Sequence, residues 1–297
     1  MSSKMKKLAL AVFAVGMAIP TLALSSLGLS QELGEIGSSA CYDCHDDMKE
    51  TMEPTIHWRL GEHEANLERM CEACHGPGSA HADSEGETPI LYTFKGENLE
   101  RDVNSTCVRC HVGGTTMEWP ASAHAEAGVL CTECHKVKEP YKPFDLGIKS
   151  AMCSECHADQ ASLFDLPSHH PVREGKMHCV DCHNPHGAEE VMLKADSVND
   201  LCFTCHADKE GPFLYEHEPV TENCLTCHNA KGAVNNNLLE LDEATLCLRC
   251  HAGHEDVHPR LNSATLRAGY MTKCTRCHSQ IHGSDLSGFV GPSRFVR

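Results

Sequence analysis

Twenty cysteines in 297 residues fall, without exception, into ten C-x-x-C-H pentapeptides, and no other feature constrains the chain so strongly. The pairs are Cys41/Cys44, Cys71/Cys74, Cys107/Cys110, Cys131/Cys134, Cys153/Cys156, Cys179/Cys182, Cys202/Cys205, Cys224/Cys227, Cys247/Cys250 and Cys274/Cys277. A histidine follows each pair: His45, His75, His111, His135, His157, His183, His206, His228, His251 and His278. Cysteine this dense ordinarily reads as a disulfide framework or as zinc ribbons. The ten motifs leave no cysteine for a disulfide, and nothing in zinc binding requires a histidine directly after C-x-x-C. The pentapeptide is the attachment signature of c-type haem: two thioethers hold the macrocycle and the adjacent histidine reaches the iron.

The amino terminus agrees with that chemistry. Lys4, Lys6 and Lys7 precede the apolar run 8–18, and Pro20 and small residues at 23–26 follow. The run is too short to span a bilayer comfortably and has the anatomy of a secretory signal peptide, expected over residues 1–25 with cleavage at about 23–30. No later segment is apolar enough for a membrane helix. Loss of the three lysines takes the formal charge from −17 to −20, which argues against nucleic acid as a partner.

The first cysteines step along the chain at 41, 71, 107, 131, 153, 179, 202, 224, 247 and 274. So few residues per haem make the polypeptide a wrapper, with haems forming most of the apolar interior. The expected fold is a multihaem cytochrome c: mostly coil with short α-helices wrapped round a chain of ten haems, elongated, with little or no β structure. Gly and Pro punctuate the linkers, as in 76–78, 113–114, Pro140, Pro143, Pro167 and Pro171. The stretches 242–247 and 199–202 read as helix starts, the former with acidic residues in its first turn. Residues 31–297 form the cytochrome domain, with a weak division into five-haem halves, 31–160 and 165–297, expected near 158–178.

Twelve histidines lie outside the motifs: His57, His63, His81, His124, His169, His170, His178, His186, His217, His254, His258 and His282. Ten irons each need a second axial ligand, so supply nearly equals demand, and histidine suits a low-potential haem closed to substrate. Methionine is the rival, but its positions show no fixed offset from the motifs.

Several segments go beyond the pentapeptide: Cys71-Glu-Ala-Cys-His-Gly-Pro-Gly-Ser-Ala-His81, Ser168-His-His-Pro171, Cys179-Val-Asp-Cys-His-Asn-Pro-His-Gly187, Gly211-Pro-Phe-Leu-Tyr-Glu-His-Glu-Pro-Val-Thr-Glu-Asn-Cys224 and His278-Ser-Gln-Ile-His-Gly283. In these the chain resembles the MtrA/DmsE family of periplasmic decahaem cytochromes, including the PioA and MtoA types, over essentially its whole mature length. The resemblance implies a bis-histidine haem wire in the periplasm, associated with the outer membrane and inserted into an outer-membrane β-barrel. It implies electron exchange between periplasmic or inner-membrane carriers and an extracellular multihaem cytochrome, reductase or mineral. It also marks eight positions as distal ligands: His57, His81, His124, His170, His186, His217, His254 and His282. Lys138 and Lys231 stand where two more histidines would be expected. His63 and His258 are the favoured replacements, His169 is a further candidate, and ligation by either lysine is the rival. A reductase of nitrite, hydroxylamine or a sulfur oxyanion would need one open iron; all ten motifs keep their histidine, which favours the conduit. A periplasmic electron store is the remaining alternative.

Overall fold

A computed structural model describes residues 33–63, 67–94, 103–140, 149–189, 191–251, 273–286 and 295. The expected signal peptide, His254 and His258 lie outside these residues, as does the side chain of His63. Short helices joined by coil make up the described chain, the longest being the eight-residue helix Ile56–His63. Its one sheet among the described residues pairs Ser168–His169 antiparallel with Gly232–Ala233. No helix among the described residues is long and apolar enough to cross a membrane. The expected fold class is what is found.

Each motif is one helical turn. The N–H of the motif histidine donates to the carbonyl of the first cysteine in nine motifs, at 2.8–3.1 Å, and the second motif lies inside the helix Met70–His75. Residues i and i+3 share a helix face, so the turn brings both cysteine side chains to one side. None of the twenty cysteines is in a disulfide.

Odd and even motifs differ in where the helix begins. The odd motifs end a helix that starts three or four residues ahead of the first cysteine: Ser38–Tyr42, Val103–Val108, Ser150–Ser154, Val198–Phe203 and Glu243–Leu248. Side-chain caps start two of these, Ser197 accepting from the Asp200 N–H and Asp242 from the Thr245 N–H, both at 3.1 Å. Both helix starts read from sequence are therefore present. Four of the even motifs begin their turn at the first cysteine itself: Cys131–Cys134, Cys179–Cys182, Cys224–Thr226 and Cys274–Arg276.

Polar side chains of the odd-motif helices hold the following even motif. Asn104 donates to the Val129 carbonyl at 2.9 Å and accepts from the Cys131 N–H at 2.9 Å. Asn199 repeats the device, donating to Val220 and accepting from the Cys224 N–H at 2.8 Å. Ser38 accepts from the Cys71 N–H at 3.2 Å. Each of the three residues lies three positions before the first cysteine of its motif, so the motifs are tied in consecutive pairs.

An apolar core is nearly absent. Among the described residues the buried hydrophobic side chains are Val103, Trp119, Leu130 and Ala233, while Leu33, Leu60, Leu91, Val112, Met117 and Val234 are at least half exposed. The segment Leu163–Asp165 and the strand Ser168–His169 pack on Gly232–Ala233 and Asn236–Leu238.

Candidate haem-binding site

The thiols of consecutive motifs meet in two alternating ways. First cysteines face each other within hydrogen-bonding reach in the pairs Cys41–Cys71, Cys107–Cys131, Cys153–Cys179, Cys202–Cys224 and Cys247–Cys274. Second cysteines act on the next unit in the pairs Cys74–Cys110, Cys134–Cys156, Cys182–Cys205 and Cys227–Cys250. The two sets interleave, so the thiols of every motif act on those of its neighbours from the first to the tenth. Burial first, and the facing thiol second, push Cys41, Cys153 and Cys202 up to about 11 and Cys247 up to about 12. Each is then a neutral thiol until it is alkylated.

Two expected attachment residues depart from this pattern. Cys44 of the first motif and Cys277 of the tenth are exposed, as most second cysteines are, and neither belongs to one of the nine pairs above. The reason is their place in the order: a second cysteine meets the motif on its outer side, and these two motifs are the ends. Cys44 lies past the end of the helix Ser38–Tyr42, and Cys277 caps the turn Cys274–Arg276. Their own motifs are nevertheless formed. The Cys44 N–H donates to the Cys41 carbonyl at 3.3 Å and the Cys277 N–H to the Cys274 carbonyl at 3.2 Å. Each thus stands one turn from its partner cysteine, as thioether attachment needs.

Seven motif histidines face a histidine from outside the motifs. The ring centroids are 6.3 Å apart for His45–His81 and His57–His111, 5.9 Å for His124–His157 and His135–His186, 6.3 Å for His170–His206, 6.0 Å for His217–His251 and 6.2 Å for His228–His282. Two metal–imidazole bonds of about 2.0–2.1 Å, with the half-width of each ring, place opposed imidazole centroids about 6 Å apart. The residues present therefore fit a haem iron between each pair.

The partner order was not legible in the sequence. A histidine after an odd motif faces the next odd motif: His57 the third, His124 the fifth, His170 the seventh and His217 the ninth. A histidine after an even motif faces the preceding even one: His186 the fourth and His282 the eighth. At the amino-terminal end His81, after the second motif, turns back to the first. Seven of the eight histidines marked by family resemblance are thus opposite a motif histidine, and the eighth, His254, lies outside the described residues.

Hydrogen bonds orient the rings. Nδ1 bonds a backbone carbonyl in His75 (Tyr92, 2.9 Å), His81 (Thr88, 2.7 Å), His124 (Pro185, 2.8 Å), His170 (Ala230, 2.6 Å), His183 (Val191, 3.0 Å) and His228 (Asn237, 2.8 Å). A carbonyl only accepts, so Nδ1 carries the proton and Nε2 keeps its lone pair for a metal. Burial holds His57, His75, His135, His186, His217 and His282 below the usual imidazole range, which favours the neutral, ligating form. Trp119, itself buried, sets its ring edge-on to His186 at 5.7 Å.

Two of the remaining histidines are engaged elsewhere. His169 bonds the Leu166 carbonyl through Nδ1 and the Glu174 carboxylate through Nε2 at 3.1 Å, and its pKa is raised by those two bonds in that order. His178 lies beside Ser150, its Nδ1 3.4 Å from the hydroxyl. His75 has the Phe94 ring edge-on at 5.2 Å. Among the described residues no second histidine ring faces His75 or His183.

Repeated one-turn C-x-x-C-H sites with opposed histidine rings define a multihaem c-type cytochrome, an electron carrier with covalently bound haem. The comparisons agree. A model of the doubled CXXCH motif matches residues 169–211 and 217–256. The chain is 34% identical over 265 residues, 84% of its own length and 79% of the relative's, to the multiheme cytochrome MtrA of Shewanella baltica (strain OS185). It belongs to the MtrA family of multihaem cytochromes.

Proposed function

We propose that the chain carries ten haems as one continuous wire and passes electrons between the periplasm and the far side of the outer membrane. The observation that supports this best is the run of thiol–thiol interactions between consecutive motifs, hydrogen-bonded in five pairs and electrostatic in the four between them. Haems held by the thiols of consecutive motifs would follow the order of those motifs, and each would supply a one-electron Fe(III)/Fe(II) couple. The protein's part is to hold the rings in order and to close the irons. His45–His81, His111–His57, His135–His186, His157–His124, His206–His170, His228–His282 and His251–His217 are the axial pairs. His254 or His258, which follow the ninth motif, complete the tenth at His278, mirroring the way His81 serves the first. Full coordination leaves no iron open to a substrate, as a carrier requires and a reductase does not.

The signal-like amino terminus supports a periplasmic location for the mature domain, from about residue 31. An outer-membrane β-barrel would insulate it across a membrane that this polar chain cannot cross alone. Its partners are then periplasmic or inner-membrane carriers on one side and an extracellular multihaem cytochrome or reductase on the other. Two measurements test the reading. A pyridine haemochrome assay with intact mass should give ten haems per chain, and eight or fewer overturns the wire. The native protein should co-purify with a β-barrel; a wholly soluble monomer, with the barrel expressed, overturns the conduit and leaves the electron store.

A further inference from the structure

Motifs 6 and 8 share one backbone frame. Asn184 N–H donates to the Met192 carbonyl and Asn229 N–H to the Leu238 carbonyl, both at 2.7 Å. Lys194 N–H reaches the Cys182 carbonyl at 3.0 Å, and Glu240 N–H reaches the Cys227 carbonyl at 3.1 Å. His183 bridges to Leu193 and His228 to Leu239. The residue three beyond the motif histidine is fixed alike in both: His186 N–H donates to Asn184 Oδ1 at 3.2 Å, and Lys231 N–H to Asn229 Oδ1 at 3.1 Å. Lys231 therefore occupies the place of His186.

The carbonyl just before that place has a constant use. Pro185 holds Nδ1 of His124 and Ala230 holds Nδ1 of His170. After motif 4 the Val137 carbonyl bonds His57. After motif 10 the Ile281 carbonyl acts on the ring of His217, whose buried Nδ1 has no close hydrogen-bond partner. Residues 138, 186, 231 and 282 are thus four instances of one position. Two of them set a ring opposite the histidine two motifs earlier, His186 opposite His135 and His282 opposite His228. The same step carries Lys138 to His75 of motif 2 and Lys231 to His183 of motif 6. Among the described residues no histidine ring faces either of them.

We propose that Lys138 and Lys231 are the distal axial ligands of the haems attached at Cys71–Cys74 and Cys179–Cys182, so that two of the ten irons carry a His–Lys pair. The amine binds as its free base: the ammonium proton goes to solvent and the Nζ lone pair forms the bond to iron. Among the described residues neither lysine is paired with a carboxylate, although the chain has 42 acidic residues against 25 basic ones. Lys138 is exposed, its Nζ 3.6 Å from Met48 Sδ, and its charge acts on His75. Lys231 is half-buried and donates to Gln160 in the helix Ala158–Ser162, directly after motif 5, whose Cys153 meets Cys179 of motif 6.

The proposal rests on the ten-haem reading, so the haem content of every variant is counted separately by pyridine haemochrome. The reduced, fully haem-loaded wild type should bind no carbon monoxide, and its oxidised form should be wholly low-spin. Lys138→Ala and Lys231→Ala should each convert one haem in ten to a high-spin, carbon-monoxide-binding form, and the double variant two. Lys138→His and Lys231→His should stay low-spin while moving one haem's share of near-infrared magnetic circular dichroism from the His–Lys to the His–His position. Alanine variants with ten haems that remain wholly low-spin overturn the proposal and pass the role to His63, His258 or Met48. Should the alanine variants fail to accumulate, histidine variants with an unchanged near-infrared spectrum overturn it equally. A wild type with fewer than ten haems counts against the wire reading instead.

Discussion

Two of the rings outside the motifs, His124 and His170, are aimed through Nδ1 bonds to carbonyls that lie far away in sequence. Pro185 is 61 residues from His124, and Ala230 is 60 from His170. Axial ligands set haem potentials over about 0.8 V, with methionine at the high end. His186→Met should therefore raise the potential of one haem in ten by on the order of 0.1 V, read as a displaced tenth of the amplitude in a spectroelectrochemical titration. Glu72 is a different kind of residue. Burial opposes ionisation of its carboxyl, but N–H groups of Gly78, Ile36 and Gly37, at 2.8, 2.9 and 2.9 Å, hold it below the usual carboxylate range. A lowered folded-state value means its stabilising contribution is present above about pH 4.5 and is lost as pH falls through that lowered value. Hydrogen exchange at Ile36 and Gly37 should accelerate in that acid window. Glu72→Gln should remove the pH dependence and cost about 1–3 kcal/mol, because one buried N–H then faces a donor.

Elements in this chain are too short to stand alone, and side-chain clamps hold them in pairs. An isolated helix of six residues is far below the length that is stable in water. Asn199 is buried and ties the helix Val198–Phe203 to the turn at Cys224 through both ends of its amide. Asn199→Ala should strand a buried N–H and carbonyl, cost about 1–3 kcal/mol, and show as faster proteolysis between motifs 7 and 8 with the haem count unchanged. Asn104→Ala should do the same between motifs 3 and 4. Helix starts at 199 and 242 were legible because Ser197 and Asp242 are ordinary N-caps. The odd–even alternation was not, since every motif has one spacing and only the packing of neighbours distinguishes them. Asparagine three residues before Cys107 and Cys202 was the signal available.

At the scale of the molecule, four buried hydrophobic side chains among the described residues are no core for a chain of 297. Conformational entropy of about 1–2 kcal/mol per ordered residue cannot be offset by so little apolar burial. The haems must contribute that burial, so a chain exported without covalent haem, or with its cysteines replaced, should be unfolded. Far-ultraviolet circular dichroism and rapid protease digestion of the apo-chain would check this; a cooperative thermal transition in the apo-chain would contradict it.

Ten C-x-x-C-H motifs and a coil-and-short-helix fold were legible in the sequence, because the motif needs only one helical turn and its residues lie within five positions of each other. The family was legible too, from local segments such as 71–81 and 179–187. Which cysteines face a neighbouring motif depended on how the motifs are ordered in space. Which histidine ring faces which was decided by tertiary structure alone, since the facing ring comes from a different repeat and no local spacing records which one. The same holds for His169, whose neighbour His170 faces His206 while its own Nε2 meets Glu174. The resemblance had already put Lys138 and Lys231 in the place of histidines; the step from them to His75 and His183 comes only from the shared frame of the even motifs.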